Sequence, residues 1–175
     1  MNIACCNVHV LDFNYPYTET VICVIDPHDR KPHHFIWAYV DRNDDVFVDY
    51  ELIIRCELDD LARKIIAIEK MRGYKMRKRL LDPNFGLKPA KPGANWSVKD
   101  ELTKYGTSFY PANDDVELGH MLVRDYLHWD RSKEMSAVNR PKVFFSRERC
   151  PLTIRSMRNY QFDEWSGLTR NKRDP

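Results

Sequence analysis

Two aspartates stand at the ends of apolar, strand-like runs, and each is followed by proline. VICVID (21–26) closes on Asp26 ahead of Pro27, and RLLD (79–82) closes on Asp82 ahead of Pro83. Residues Val21 to Ile25 are all apolar and mostly β-branched, which predicts a central strand buried on both faces. Proline has no backbone N–H to give to a ladder, so the chain must leave the sheet just past each carboxylate. If the two strands are parallel neighbours, both acids emerge at one sheet edge. Carboxylates that close repel, and each resists ionisation unless a cation lies between them. Mg2+ or Mn2+, hard cations that take oxygen ligands, suit such a pair. Two such ions about 3.5–4 Å apart can activate water and stabilise the leaving oxygen of a phosphodiester. The competing reading is a turn-capping aspartate ahead of proline. Spacing alone leaves both open.

The elements that must position these acids follow from periodicity. Thr20–Asp26, His34–Asp41 and Val46–Ile54 read as strands, with Asn43-Asp44-Asp45 as a turn, and predict an antiparallel three-strand meander. Glu57–Asp60 opens a helix in which Leu58, Leu61, Ala62, Ile65 and Ile68 recur at helical spacing, and Gly73 stops it. Arg79–Asp82 is a short strand, followed by a proline-rich loop, NFGLKPAKPGANW. Ser97 and Asp100 form a capping-box-like start to a helix over 97–105, with Gly106 past its end. Ser108–Pro111 is a further strand. Val116–Trp129 is a helix with Leu118, Met121, Leu122, Tyr126 and Trp129 on one face, and the Tyr126/Trp129 stripe is expected in the core. Val143–Phe145 is a small strand, and Pro151 begins a last helix. The order β-β-β-α-β-α-β-α predicts an α/β fold with a mixed central sheet flanked by helices. Residues 1–19 are expected as an irregular lead-in, 20–165 as one folded domain, and 166–175 as a basic polar tail.

A chain of 175 residues suffices for one domain with a proper core. The formal charge of +2 is too small to decide anything alone, and its distribution matters more. KMRGYKMRKR (70–79) carries six cations and no acid and could track a phosphate backbone, or could be a solvated helix end and turn. Lys75, Arg77, Lys78 and Arg79 are the candidate DNA contacts there, with Arg30 and Lys31 in the loop after Asp26. His28, His33 and His34 lie near Asp26, but a zinc site needs a second ligand cluster and none is evident. His28, two residues past Asp26, is the better candidate for touching phosphate or water. Glu51 in VDYEL is a candidate peripheral acid, or an exposed strand-end glutamate. Five cysteines without a CxxC pair predict a reducing compartment and no disulfide framework. No apolar run approaches the ~20 residues that cross a bilayer, and the N-terminus lacks a signal-peptide pattern. A soluble intracellular chain is expected, with no membrane partner.

IDPHDRKPHHFIWAYVDRNDDVFVDYEL (25–52), LLDPN (80–84), DELTKYGTSFYPAN (100–113), VELGHMLVRDYL (116–127), RERCPLTI (147–154) and NYQFDEW (159–165) occur in that order. Together they resemble the nuclease domain of phage large terminase subunits. The resemblance implies a ribonuclease H-like fold and a metal-dependent endonuclease that cuts concatemeric double-stranded DNA during genome packaging by a two-metal mechanism. It further implies Mg2+ or Mn2+ as cofactor and the host bacterial cytoplasm as location. The implied partners are a packaging ATPase domain, a small terminase subunit and a portal. By motif, Asp26 matches the first-strand acid and Asp82 the second, and Glu51 also fits the pattern. Relatives carry a third metal-binding aspartate in an Asp-Asp-His segment, whereas this sequence stops at Arg173-Asp174-Pro175, short of it. There is also no GxxxxGK[ST] motif, so the resemblance is to the nuclease half of a motor subunit. The alternatives are a catalytically incomplete DNA- or portal-binding module of the same fold, or another ribonuclease H-like nuclease such as a resolvase.

Overall fold

The computed structural model describes residues 6–28 and 31–159. In chain order its elements are α1 (Cys6–His9), β1 (Val10–Leu11), β2 (Val21–Asp26), β3 (His33–Val40), β4 (Val46–Ile54), α2 (Leu58–Arg72) and β5 (Met76–Leu81). There follow α3 (Pro83–Gly86), α4 (Val98–Lys104), β6 (Tyr110–Pro111), α5 (Val116–Leu127), β7 (Val143–Ser146) and α6 (Pro151–Asn159). One seven-stranded sheet has the order β1-β7-β4-β3-β2-β5-β6. β2, β3 and β4 form the antiparallel meander; β5 runs parallel to β2, β6 to β5, β7 to β4 and β1 to β7.

Period-two alternation divides the sheet into two faces. Val21, Cys23 and Ile25 of β2, Phe35, Trp37 and Tyr39 of β3, and Leu81 of β5 pack the first face against Leu61, Ala62 and Ile65 of α2 and Leu102 of α4. A smaller core on the second face joins Val10, Val48 and Phe145 to Leu127, Cys150 and Ile154. Burial pushes the Cys150 thiol up to about 12, so it behaves as a small apolar side chain. The α2 helix ends where Gly73 adopts φ +64°, a conformation glycine takes without steric cost, and its N–H bonds the Lys70 carbonyl.

Two bulges reset the alternation. In β4, Trp37 pairs with Tyr50 but Ala38 with Val48, leaving Asp49 as the extra residue. Phe47 and Tyr50 can therefore both reach the α2 core, while Glu51 turns to the opposite face. In β5, Val21 pairs with Met76 and Ile22 with Lys78, leaving Arg77 unpaired. Close packing also fixes the end of β5: a Cβ on Gly86 would sit 1.5 Å from Leu81 Cδ1.

The structure departs from the sequence expectations in five places, the first being that β2 is enclosed on one face only, with Ile22 and Val24 half-buried on the other. The lead-in is not wholly irregular, because α1 and β1 lie in it and β1 adds a strand beside β7. Residues 83–86, expected in a loop, form the short helix α3, with Pro83 pre-set at its first position. β5 starts at Met76, so three of the six cations of the basic run lie in a strand rather than in a helix end and turn. The α5 stripe is mostly open: Met121 is 44% and Leu122 47% exposed, and only Leu127 of this helix is buried. Tyr126 is half-buried, donating its O–H to Asp44 (2.9 Å), and Trp129 lies past the helix end. Helical spacing specifies an apolar face, not what covers it.

Candidate functional site

The parallel pairing of β2 with β5 puts Ile25 opposite Leu81, and the Asp82 N–H donates to the Ile25 carbonyl at 3.1 Å. Asp26 and Asp82 are thus the next residues on hydrogen-bonded strands, which run about 4.8 Å apart. Ile25 and Leu81 are both buried on the α2 side, so alternation turns both acids to the other face. Asp26 is exposed. Asp82 is half-buried. Its Oδ1 accepts from the Asn84 backbone N–H (2.9 Å) and Nδ2 (3.1 Å), capping α3. The capping reading is therefore realised for Asp82, yet it occupies one oxygen and leaves Oδ2.

The three histidines part company. His33 is buried; its Nδ1 accepts from the His28 N–H (3.0 Å), so Nε2 carries the proton and donates to the Cys56 carbonyl (3.2 Å). Burial also holds its pKa below the ordinary histidine value, consistent with a neutral ring. His28 stacks on Phe85 of α3, with centroids 6.2 Å apart, tying the loop after β2 to the helix after β5. His34 is the cross-strand partner of Asp26 and shares its face, with Nε2 3.3 Å from Thr153 Oγ1 of α6. Its place beside Asp26 follows from the antiparallel register, which the sequence shows only once β2 and β3 are paired.

Glu51 is engaged elsewhere. Its two carboxylate oxygens accept the backbone N–H groups of Leu152 (2.7 Å) and Thr153 (2.6 Å), so it caps α6 and meets that helix's positive end. Glu51→Ala is expected to cost about 1–2 kcal/mol, in the range of lost helix caps, with faster amide exchange in the first turn of α6. Unchanged exchange there would refute the capping role.

Of the basic candidates, Lys31, Lys75, Arg77 and Lys78 are exposed, and Arg30 lies outside the described residues. Arg79 must be withdrawn as a DNA contact. Alternation sends it to the α2 face, where its Nε donates to Oε1 of buried Glu69 (2.8 Å) and its Nη2 to Oε2; the Trp37 indole also donates to Oε1 (3.4 Å). Lys78 shares the acids' face, about 13 Å along the strand from Asp82 by rise per residue.

The two carboxylates at the strand ends are the hard oxygen donors that Mg2+ or Mn2+ takes, with the His34 imidazole on the same face beside Asp26; magnesium is commonly held by one or two carboxylates with water completing the shell. Among the described residues no group of three or more His, Cys, Asp or Glu side chains converges as a metal site. Residues 160–175, with the end of the NYQFDEW motif and Asp174, lie outside the described residues. Also among the described residues, no helix is long and apolar enough to cross a membrane.

Comparison with solved structures places this fold among large terminases. The large terminase of a thermophilic bacteriophage, in complex with ATP-γ-S, superposes with a TM-score of 0.65 at 18% identity, over 93% of this chain and 37% of that one. A second crystal structure of the same phage protein gives 0.64 at 17%, over 92% and 36%. The P22 large terminase nuclease domain gives 0.59 at 16%, over 85% of this chain and 73% of that domain. The chain thus spans little more than a third of the length of the thermophilic phage protein. No family model and no curated protein matches the sequence. At these identities the likeness is one of fold: a ribonuclease H-like mixed sheet of the kind found in terminase nuclease domains.

Proposed function

We propose that this chain is the nuclease domain of a DNA-packaging large terminase, a metal-dependent endonuclease acting on double-stranded DNA. The observation that carries the reading is the β2–β5 register, which sets Asp26 and Asp82 side by side at one sheet edge and on one face. Asp26 and Oδ2 of Asp82 would hold Mg2+ or Mn2+. A divalent ion held there supplies a Lewis acid for the phosphodiester and a more acidic water. The Asn84 hydrogen bonds pin the Asp82 carboxylate, so its orientation is set before any ligand arrives. Lys31, Lys75, Arg77 and Lys78 lie exposed to hold the DNA backbone without reading bases. In this reading a packaging ATPase domain, a small terminase subunit and a portal are its partners in the host bacterial cytoplasm.

A second reading, DNA or portal binding without cleavage, is favoured by the lack of a third converging acid among the described residues. Nicking of supercoiled plasmid with Mn2+ separates them. Wild type is expected to nick, and Asp26→Asn to be slower by at least about 100-fold, since loss of groups that merely support metal ligands costs up to that much. If wild type and variant are equally inert yet both retard plasmid in gels, the binding module stands and the nuclease falls. Preference for branched over linear duplex would instead indicate a resolvase-like enzyme.

A further inference from the structure

The geometry points to a second substrate contact beside the acid pair: Tyr110 and Lys78 form a site for an unpaired nucleotide. Tyr110 pairs with Leu80 across the β5–β6 ladder, and Phe109 before it is buried in the α2 core, so its ring lies on the same face as Asp26 and Asp82. Two residues along and one strand across, its Cα lies about 8 Å from that of Asp82 by sheet spacings. The side chain is 57% exposed, and the Lys78 ammonium sits 5.4 Å from its ring centroid. That contact is a cation–π pair in open solvent. The segment is held firmly: Phe109 anchors one side, Pro111 fixes the other, and the Ala112 N–H bonds the Leu81 carbonyl at 2.8 Å.

The surrounding surface is open. Ile22, Val24 and Leu80 on this face are only half-buried, whereas Val21, Cys23, Ile25 and Leu81 on the other are almost wholly enclosed. A rigid, exposed aromatic ring beside a lysine is the combination that grips single-stranded nucleic acid: bases stack on the ring and a phosphate meets the cation. In an intact duplex the base faces are already stacked on each other. Tyr110 therefore favours DNA with unpaired bases near the scissile bond, while Lys78 serves paired and unpaired strands alike. The substrate assignment rests on the nuclease reading, but the contact is measurable without cleavage.

The test is fluorescence anisotropy in EDTA, comparing a fully paired duplex with one carrying an internal mismatched bubble of a few thymines. Wild type is expected to prefer the bubble. Tyr110→Ala should weaken bubble binding by about 5- to 150-fold, the range for one stacked base, and leave duplex binding unchanged. Tyr110→Phe should keep most of the preference. Lys78→Ala should weaken both ligands and make the salt dependence shallower by nearly one counterion. Equal wild-type affinity for bubble and duplex, or a Tyr110→Ala protein that binds the bubble like wild type, overturns the site. Loss of Mn2+-dependent nicking with the bubble preference intact would count against the nuclease alone.

Discussion

Asp49→Ala is expected to lower the melting temperature by about 6–20 °C in scanning calorimetry. Asp49 has no exposed surface, yet it carries a charge in the middle of the molecule. Arg72 Nη2 donates to its Oδ2 at 2.8 Å and Arg149 Nη2 to its Oδ1 at 2.7 Å, while the Tyr74 hydroxyl also donates to Oδ2. Burial, followed by the Asp49 hydrogen bond and charge, pushes the Tyr74 phenol well above its ordinary pKa, so it remains a donor. Arg149 reaches further, with Nε on the Asp49 carbonyl (2.9 Å) and Nη2 on the Phe13 carbonyl (2.6 Å). One carboxylate thus joins β4, the end of α2, the turn into α6 and the chain ahead of β2. Removing it leaves two largely buried guanidiniums without their counter-charge, although Arg149 keeps its two backbone carbonyls; in comparable buried pairs such a loss costs about 3–5 kcal/mol. Domain stability is only about 5–15 kcal/mol, and at this size each kcal/mol moves the midpoint by about 2–4 °C. Asp49→Asn keeps an acceptor but not the charge and should fall between. A shift below about 2 °C for the alanine variant would show that the network adds nothing net.

Asp82→Asn should abolish cleavage while leaving the fold intact. Asparagine caps helices as well as aspartate does, so Asn at this position can still accept the Asn84 N–H and stability should change by only a few tenths of a kcal/mol. The neutral amide is a far weaker ligand for a hard divalent cation, and nicking should drop by at least about 100-fold. Asp82→Ala should show the same loss together with about 0.5–2 kcal/mol of destabilisation from the missing cap. The comparison separates the two duties of one side chain. If Asp82→Asn cleaves like wild type, the residue only caps α3 and the paired-acid mechanism is wrong.

Local interactions explain what could be read from the sequence. Branched apolar runs marked β2, β3 and β4 to within about a residue of their ends, and leucine and isoleucine spacing with a terminal glycine marked α2. Ser97 and Asp100 announced the capping box that the structure contains. The two aspartates ahead of prolines were visible as strand-end carboxylates for the same reason: each signal is complete within a few residues of chain.

Partnership between distant segments was decided only in three dimensions. Nothing near Asp82 says that β5 lies parallel to β2, and that pairing alone makes two aspartates a pair. Asp49 reads as a break in alternation until Arg149, 100 residues on, arrives to neutralise it. Arg79 looks like one more surface cation in a basic run, but strand alternation turns it inward to Glu69, ten residues earlier on α2. Glu51 becomes a helix cap because the bulge at Asp49 shifts it to the face where α6 begins. In each case the residue type was plain from the start, and its role waited on a neighbour that the backbone brings close only when the sheet is assembled.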